Sequence, residues 1–172
     1  MRKNNYIALA KKASSIQINE LKKIKKVFNH SFVKAVDLIL NCKGKVIFAG
    51  VGKSGLIAKK ISATFSSVGI PSFFCDPAQA LHGDMGQIEK KDILIIFSYS
   101  GNTSELNNML KYANRYRIKV IGVASKTDSI LLKASDIKLI LPKVKESDLT
   151  GMVPTSSTTI TLLLGDCLAT TV

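Results

Sequence analysis

Hydroxyl side chains and glycines gather in three short segments of this sequence, and these are residue types that bind phosphate. The first segment, residues 50–55, contains three glycines together with Lys53 and Ser54. The second is residues 98–105, and the third, residues 155–159, reads Thr-Ser-Ser-Thr-Thr. Backbone N–H groups and hydroxyls bind a phosphate dianion best where a helix begins, because the helix dipole also favours negative charge there. The three segments together predict a pocket for a small phosphorylated polyol.

The second segment gives the strongest indication of a phosphate site. It follows a strongly apolar run and carries four hydroxyl side chains, Ser98, Ser100, Thr103 and Ser104. One helix N-cap would account for one hydroxyl, so capping alone does not explain the cluster. Glu105 then stands on the first turn of a predicted helix. It is either a carboxylate that the helix dipole favours or a general base beside the phosphate.

The glycine segment 50–55 is compatible with other interpretations. It resembles a nucleotide-binding P-loop, but Ile47, inside a predicted strand, occupies the position that needs the first glycine, so we do not expect triphosphate binding. The segment also satisfies G-x-G-x-x-G between a strand and a helix, with Asp76 where a ribose-binding acid is expected. Taken alone, it leaves open a dinucleotide site, or a glycine turn that only lets a helix and a strand pack closely.

Alternating apolar patterns predict the elements that would position these segments. Strands are predicted over residues 45–50, 71–75, 92–97, 119–123 and 136–141, and helices over 6–28, 31–42, 53–68, 103–116, 128–134 and 155–170. The alternation predicts an α/β fold, a doubly wound α/β/α sandwich with a five-stranded parallel sheet and ligands at its carboxyl edge. Residues 75–91 lack periodicity, and we expect this long connection to serve function.

Composition and length place limits on the class of protein. A chain of 172 residues with 46% hydrophobic residues suits one domain. We expect an N-terminal helical segment (1–42) packed outside the sheet and a main domain (43–172), joined as one globular unit. No apolar run approaches the roughly 20 residues that cross a bilayer, and the three cysteines lack CxxC spacing. We expect a cytoplasmic protein without a signal peptide, without membrane association and without a bound metal.

The net charge of +13 suggests nucleic acid as a partner, but its distribution argues against one. Residues 1–60 hold 14 basic and 2 acidic residues, whereas residues 61–172 hold 11 and 10. Lysines outnumber arginines 22 to 3, although base and phosphate recognition relies on the bidentate guanidinium. The cluster 22–26 also lacks the aromatic residues of a single-strand platform. We interpret the basic excess as a solvated helix face.

Four motifs follow one another along the chain and carry a family resemblance. They are Gly50-Val51-Gly52-Lys53-Ser54-Gly55, Ala80-Leu81-His82-Gly83-Asp84, Ser98-x-Ser100-Gly101-x-Thr103-Ser104-Glu105 and Val153-Pro154-Thr155-Ser156-Ser157-Thr158-Thr159. In this order they closely resemble the sugar isomerase (SIS) domain of D-arabinose 5-phosphate isomerases, over residues 30–170. Members of that family usually continue with a His-Pro-Gly-Gly segment, which includes a late catalytic histidine, and two CBS domains. This sequence reaches Val172 without either.

The resemblance implies roles for individual residues. Those implied to bind substrate or phosphate are Gly52, Ser54, Ser98, Ser100, Thr103 and Ser157, and those implied to be catalytic are Lys53, His82, Glu105 and Glu146. Without the resemblance, Lys53 would be interpreted as a surface charge and Glu146 as part of a surface ion pair. His82 and Asp84 could suggest a metal, but two ligands are too few to define a site.

The resemblance also implies a reaction and an assembly. The reaction is the interconversion of D-ribulose 5-phosphate and D-arabinose 5-phosphate through an enediol, without a cofactor. It supplies the eight-carbon acid sugar Kdo of lipopolysaccharide, or capsule precursors. Such chemistry needs a base near C1 and C2 and a group that polarises the carbonyl. Related proteins form homodimers or homotetramers with sites at subunit interfaces. A non-catalytic sugar-phosphate sensor with the same pocket remains the alternative.

Overall fold

Five parallel strands form the central sheet of the computed structural model, which describes residues 4–172. The strands are β1 (Val46–Gly50), β2 (Ser72–Phe74), β3 (Ile93–Phe97), β4 (Lys119–Ala124) and β5 (Ile137–Ile140), in the spatial order β2-β1-β3-β4-β5. Strands β1 and β3 are buried along their whole length. Such continuous burial is expected of parallel strands covered on both faces, and it explains their unbroken apolar sequences.

Helices cover both faces of the sheet. They are α1 (Asn4–Leu21), α2 (His30–Leu40), α3 (Lys53–Ser67), α4 (Pro77–Ala80), α5 (Leu106–Tyr116), α6 (Ile130–Ala134) and α7 (Ser156–Thr171), with 3-10 helices at Lys22–Val27 and Asp84–Gln87. Helices α2, α3 and α7 share one apolar core with the sheet, and α4, α5 and α6 share the other. The predicted doubly wound α/β/α sandwich with a five-stranded parallel sheet is therefore confirmed.

Alternate residues of the strands supply the two cores. Phe48 and Ile95 pack into the core with α3 and α7, whereas Ile47 and Leu94 pack into the core with α5. Helices α3 and α7 pack tightly against each other, because a Cβ added at Gly165 would meet Ile61. The N-termini of both helices lie at the carboxyl edge of the sheet, beside the ends of β1 and β3.

The N-terminal helical segment differs from its prediction. The predicted helix 6–28 ends as an α-helix at Leu21 and continues as the 3-10 helix Lys22–Val27. Ile24 and Val27 are both buried there, and their three-residue spacing matches the three residues per turn of a 3-10 helix. Helix α2 packs near β5, while α1 lies against α7. The division into segments 1–42 and 43–172 stays a prediction.

The structure also differs from two other predictions, the start of the helix at residue 103 and the irregular connection 75–91. The helix predicted from residue 103 begins at Leu106, because Thr103–Glu105 form turns through the bonds of Leu106 N to Thr103 O (3.2 Å) and Asn107 N to Ser104 O (3.0 Å). The connection 75–91 is not wholly irregular, since it contains α4 and the second 3-10 helix. Across residues 4–172, no helix is both long enough and apolar enough to span a bilayer.

Candidate functional site

A cleft of about 360 Å³ lies at the carboxyl edge of the sheet, above the ends of β1 and β3. The chain leaves β1 toward β2 on one side, while β3 lies on the other side, so this is the point where the strand order reverses. Ligands of doubly wound proteins bind at such a point. The residues that line the cleft are Val51, Lys53, Ser54, Ile57, Tyr99, Ser100, Glu146, Pro154, Ser157, Thr158 and Thr161.

The glycine segment carries the chain from β1 into α3. Gly52 is the N-cap of α3 with φ +59°, a conformation that a side chain disfavours. The turn places Lys53 and Ser54 on the first turn of α3, where both line the cleft. Free N–H groups at this helix start add to the donors of the side chains. Gly52 itself borders a neighbouring depression rather than the cleft.

The segment after β3 is shaped by its own hydroxyls. Ser98 is buried, and its Oγ accepts from Gly101 N (3.1 Å) and lies 2.8 Å from Thr103 Oγ1. Ser100 Oγ accepts from Asn102 N (3.3 Å), and Ser100 lines the cleft. Ser98 and Thr103 therefore hold the loop that presents Ser100 and the nearby backbone N–H groups. Neither Ser98 nor Thr103 lines the cleft.

Glu146 enters the cleft from the connection between β5 and α7. Its Oε2 accepts from Thr155 N (2.7 Å), Thr155 Oγ1 (2.9 Å) and Ser157 N (3.3 Å), so this carboxylate occupies the N-terminal end of α7. Burial, the largest single influence, raises the pKa of Glu146, but hydrogen bonds from Ser157 and Thr155 together lower it below its ordinary value. Glu146 is consequently ionised at neutral pH, although it is only partly exposed.

The hydroxyls of residues 155–159 were expected to line a phosphate pocket, and most of them have partners within the protein. Thr155 Oγ1 bonds to Glu146, while Thr158 and Thr159 donate to the carbonyl of Thr155 (2.7 and 2.9 Å). Ser157 and Thr158 reach the cleft. The anion that the start of α7 binds is thus the protein's own glutamate.

The structure brings together five of the ten predicted site residues. Those that line the cleft are Lys53, Ser54, Ser100, Glu146 and Ser157. Glu105 does not line it: the side chain is exposed and accepts from Ser104 Oγ (2.8 Å), a bond that lowers the pKa of Glu105. His82 is exposed in the turn after α4 and does not line the cleft either.

The acid expected for ribose binding has a structural role here. Asp76 Oδ1 accepts from Ala78 N (2.9 Å) and caps the N-terminus of α4. Gly55 approaches β1 so closely that a Cβ would lie 2.6 Å from Gly50 O. Gly50 and Gly55 are thus explained by the packing of α3 on β1, and Gly52 by its positive φ. Asp76 and the glycines share a separate depression of about 430 Å³ on the β2 side of the loop.

Sequence reasoning missed Tyr99, which joins the two sides of the cleft. Its hydroxyl donates to Pro142 O (3.1 Å) and accepts from Val144 N (2.9 Å), so it ties the loop after β3 to the connection that carries Glu146. Burial raises the pKa of Tyr99, which keeps the hydroxyl protonated as this bridge requires. A tyrosine between two serines, Ser98 and Ser100, was the available signal, since a buried phenol needs a partner.

The other depressions described on residues 4–172 contain fewer of the predicted site residues. A larger crevice of about 510 Å³ lies at the amino edge of the sheet, around Lys119 and Asp136, and contains none of the predicted site residues. Among the described residues, no group of three or more His, Cys, Asp or Glu side chains is arranged to hold a metal ion.

Comparison with known proteins gives one consistent answer. The family model described as SIS domain matches residues 39–171. A probable arabinose 5-phosphate isomerase of Haemophilus influenzae is 39% identical over 98% of this chain and 50% of its own length. An arabinose 5-phosphate isomerase, KdsD, of Pseudomonas aeruginosa is 46% identical over 80% of this chain and 42% of its own length. The chain spans about half the length of the curated relatives it matches.

A solved structure agrees with the sequence matches. The E. coli CFT073 protein c3406, solved in complex with arabinose 5-phosphate, superposes with a TM-score of 0.95 at 33% identity, covering 99% of this chain and 91% of that one.

Proposed function

The chain belongs to the SIS domain family, and we propose that it is a sugar-phosphate isomerase that interconverts D-ribulose 5-phosphate and D-arabinose 5-phosphate. The observation that carries this proposal is the pairing in one cleft of an ionised carboxylate, Glu146, with the cationic Lys53 and the hydroxyls of Ser54 and Ser100. The names of the relatives from Haemophilus influenzae and Pseudomonas aeruginosa support the same substrates.

We assign the phosphate to the donors at the start of α3 and in the loop after β3. Ser54 and Ser100 donate from either side of the cleft, and Gly52, Ser98 and Thr103 hold the two loops in shape. The N-terminal dipole of α3 and the charge of Lys53 both favour a dianion there. Glu146 repels the phosphate from the other end of the cleft, so the sugar carbons extend toward the carboxylate.

We assign proton transfer to Glu146. In the aldose-to-ketose direction, its carboxylate removes the C2 proton of the open-chain sugar, and the electron pair forms the C1–C2 double bond of an enediolate. The carbonyl oxygen at C1 takes up negative charge, which Lys53 stabilises, and it then accepts the proton that the C2 hydroxyl gives up, so the negative charge passes to the C2 oxygen. Glu146 returns its proton to C1 as the electron pair of the C1–C2 double bond forms the new C1–H bond, and the C2 oxygen forms the carbonyl of the ketose. Ser157, beside Glu146, would orient a hydroxyl of the sugar.

His82 and Glu105 enter the proposal through a second copy of the chain. Both side chains are exposed and lie outside the cleft of their own chain. We propose a homodimer or homotetramer in which a neighbouring copy brings such groups to the cleft, where they assist ring opening. Exposed apolar side chains on α1, including Tyr6, Ile7 and Ile18, are available to bury in that contact. Size-exclusion chromatography with light scattering should find no monomer at micromolar concentration.

We propose further that the protein acts in the cytoplasm, where its product supplies the Kdo of lipopolysaccharide or capsule precursors. The reaction moves hydrogen within one substrate, so it is redox-neutral overall and needs no redox cofactor, and the acid–base route assigned to Glu146 and Lys53 uses no metal. Added NAD and EDTA should therefore leave turnover unchanged.

The second candidate function is a sugar-phosphate sensor without turnover. It is favoured by the placement of only two of the four expected catalytic residues, Lys53 and Glu146, in the cleft of one chain. Both candidates predict that arabinose 5-phosphate raises the melting temperature, since a ligand stabilises the state it binds.

The two candidates differ in proton exchange. An isomerase should wash the C2 proton of arabinose 5-phosphate into D2O, detected by proton NMR on this 172-residue chain. A sensor should bind the sugar phosphate without any exchange. Stabilisation by NAD but not by arabinose 5-phosphate would contradict both and favour a dinucleotide site at Gly50, Gly52, Gly55 and Asp76.

A further inference from the structure

Three polar side chains of the N-terminal helical segment contact the connection that carries Glu146. They are Gln17, Glu20 and Lys23, which we term the polar row. Their three-residue spacing places them on one side of the helix. Their targets are in residues 143–147, about 120 to 130 positions further along the chain.

Each member of the polar row makes its own hydrogen bond to this segment. Gln17 Nε2 donates to Ser147 Oγ (3.1 Å), Glu20 Oε2 accepts from Lys145 N (3.1 Å), and Lys23 Nζ donates to Lys143 O (3.4 Å). The three bonds fall on Lys143, Lys145 and Ser147, which are alternate residues of the segment.

The residues between them bond to the opposite side. Val144 N donates to Tyr99 Oη, and Glu146 bonds to Thr155 and Ser157 at the start of α7. The segment is therefore held between two sets of partners, the polar row behind it and Tyr99, Thr155 and Ser157 on the side of the cleft. Ser147 joins the two sets, because its N and Oγ also bond to Thr155 Oγ1 (2.9 and 3.1 Å).

The side chains of the polar row are also held by contacts with each other and with α7. Glu20 Oε2 lies 2.5 Å from Lys23 Nζ, and the Glu20 side chain is only 15% exposed. Gln17 Oε1 also accepts from Thr159 Oγ1 (3.2 Å), so one side chain joins the segment to α7. Lys23 therefore differs from a lysine that extends into solvent, which would make no such contacts.

We propose that the polar row is a positioning element for Glu146, so that the N-terminal helical segment takes part in catalysis by fixing the carboxylate in the cleft. Glu20 is the central positioning residue, because it holds the backbone N–H immediately before Glu146. This inference rests on the proposed role of Glu146 as the base. The experiment below distinguishes failure of the positioning role from failure of Glu146 as the base.

Two variants of Glu20 distinguish positioning from charge. Glu20→Gln keeps an oxygen that accepts from Lys145 N but removes the negative charge, whereas Glu20→Ala removes both. Asn19→Ala is the matched control, since Asn19 is an exposed neighbour on the same helix and bonds only to Lys22. The readout is the pKa of the Glu146 carboxyl, followed by 13C NMR with the Glu146→Gln variant used for assignment.

The sign of the change in the pKa of Glu146 distinguishes a positioning role of Glu20 from a purely electrostatic one. The charged groups around Glu146 are Lys53 across the cleft, Glu20 and Lys23 behind the segment, and Lys145 and Asp148 on its own connection. Tyr99 is the titratable group of the loop after β3, and α7 contributes only hydroxyls and amides there. Removing the charge of Glu20 alone lowers the pKa of Glu146. Loosening the segment weakens the bonds from Thr155 and Ser157, which raises it.

We expect Glu20→Ala to raise the pKa of Glu146 by about half a unit to one unit, and Glu20→Gln to lower it slightly or leave it unchanged. Turnover by Glu20→Ala should fall about 10-fold with KM nearly constant, and Glu20→Gln should restore most of it. Gln17→Ala, which changes no charge, should also raise the pKa, and it replaces Glu20→Ala if that variant does not fold.

A lowered or unchanged pKa of Glu146 in both Glu20→Ala and Gln17→Ala would overturn the positioning role. The NMR titration needs no turnover, so it decides this point even for a chain that does not isomerise its substrate. In that case a raised pKa in the variants would retain the positioning inference, while the proposed function would fall.

Discussion

The two sides of the cleft are built in different ways. The proposed phosphate side, formed by segments 50–55 and 98–105, continues directly from buried strands, and the bonds of the Ser98 and Ser100 hydroxyls join residues only two to five positions apart. The glutamate side, residues 142–155, is a long connection without strand or helix. It is held by side chains from Gln17, Glu20 and Tyr99, which are remote in the chain. The serine turns of the first side are shaped by local bonds, whereas the position of the second side depends on long-range contacts.

This difference implies that the two sides of the cleft have different roles. Local bonds of Ser98 and Ser100, together with contacts to residues 129–131, fix the proposed phosphate loop at the end of β3. The proposed base, Glu146, instead stands on a segment whose position depends on three separate elements. Substitutions on the phosphate side should therefore change affinity, while those on the glutamate side should change the rate.

The largest effect should come from Glu146→Gln. The amide keeps the size of the side chain but cannot accept the C2 proton, so we expect kcat to fall about 10²–10⁴-fold with little change in KM. Turnover and C2 proton exchange in D2O measure it. Glu105→Gln is the matched comparison, because the Glu105 side chain lies outside the cleft.

A larger loss in Glu105→Gln than in Glu146→Gln would reverse the assignment. It would mean that a neighbouring copy brings the base to the cleft. Equal and small losses in the two variants would move proton transfer to His82.

The next effect tests the rigidity of the phosphate side. Gly101 has φ +69°, and a Cβ there would clash with the side chain of Ser129. We expect Gly101→Ala to lower the free energy of unfolding by about 2–4 kcal/mol, from backbone strain and overpacking together. Urea denaturation followed by circular dichroism measures the change.

Gly151, on the glutamate side, is the control for this substitution. It has the same φ of +69° but nothing within 4 Å of an added Cβ. Gly151→Ala should therefore show backbone strain alone, about 1–2 kcal/mol. Equal losses at the two glycines would mean that the phosphate side is no more tightly packed than the glutamate side.

A third substitution separates affinity from rate. Ser100→Ala removes a hydroxyl donor to the phosphate, which binds alike in the ground state and the transition state. A hydrogen bond to a charged group contributes about 1.5–3 kcal/mol, so we expect KM to rise about 10- to 100-fold with a milder fall in kcat. Inhibition by inorganic phosphate should weaken in parallel.

Ser104→Ala serves as the control on the same loop. The Ser104 hydroxyl donates to Glu105 and does not line the cleft, so KM should stay within about 3-fold. A fall in kcat at constant KM for Ser100→Ala would contradict the division between the two sides.

The smallest expected effect is the contribution of Glu146 to stability as pH changes. The pKa of Glu146 in the folded protein lies below its ordinary value of 4.5, so the unfolded chain takes up the proton more readily. Its contribution is therefore fully present above pH 4.5 and is lost as pH falls through the lower folded pKa. Urea midpoints of the wild type and Glu146→Gln, compared between pH 7 and pH 3, measure it.

We expect the wild type to lose more stability than Glu146→Gln over that range, by less than about 1 kcal/mol after allowance for solvent screening. A parallel decline in the two proteins would show that Glu146 is not held as a carboxylate by Thr155 and Ser157.

The contrast between the two sides also explains which parts of the site could be predicted from the sequence and which could not. Apolar runs such as 93–97 identify buried strands, and the parallel order brings segments 50–55 and 98–105 to one edge. Ser54 and Ser100 could therefore be placed in one site by topology. The bond of Lys145 to Glu20 follows no local pattern, because it joins residues 125 positions apart, and the bond of Glu146 to Thr155 depends on the path of an irregular connection.

Smaller misplacements have similarly specific causes. The end of the first α-helix at Leu21 follows from burial of both Ile24 and Val27, which only the folded core determines. Tyr99 stands within a serine motif, and its bridge to Pro142 and Val144 depends on where the connection after β5 lies. The resemblance to a known family supplied Glu146, which the residues alone would have left as a surface charge.

The close contact of α3 with α7 has a consequence for substrate length. Ile61 occupies the space that a side chain at Gly165 would need, so the two helices cannot slide past each other without a clash. Ser54, a proposed phosphate donor, lies at the start of α3, and the residues that anchor Glu146 lie at the start of α7. The helix pair therefore fixes the distance between the proposed phosphate site and Glu146. A relative that acts on a longer sugar would have to change the conformation of residues 142–155, because the packing of α3 on α7 does not allow that distance to increase.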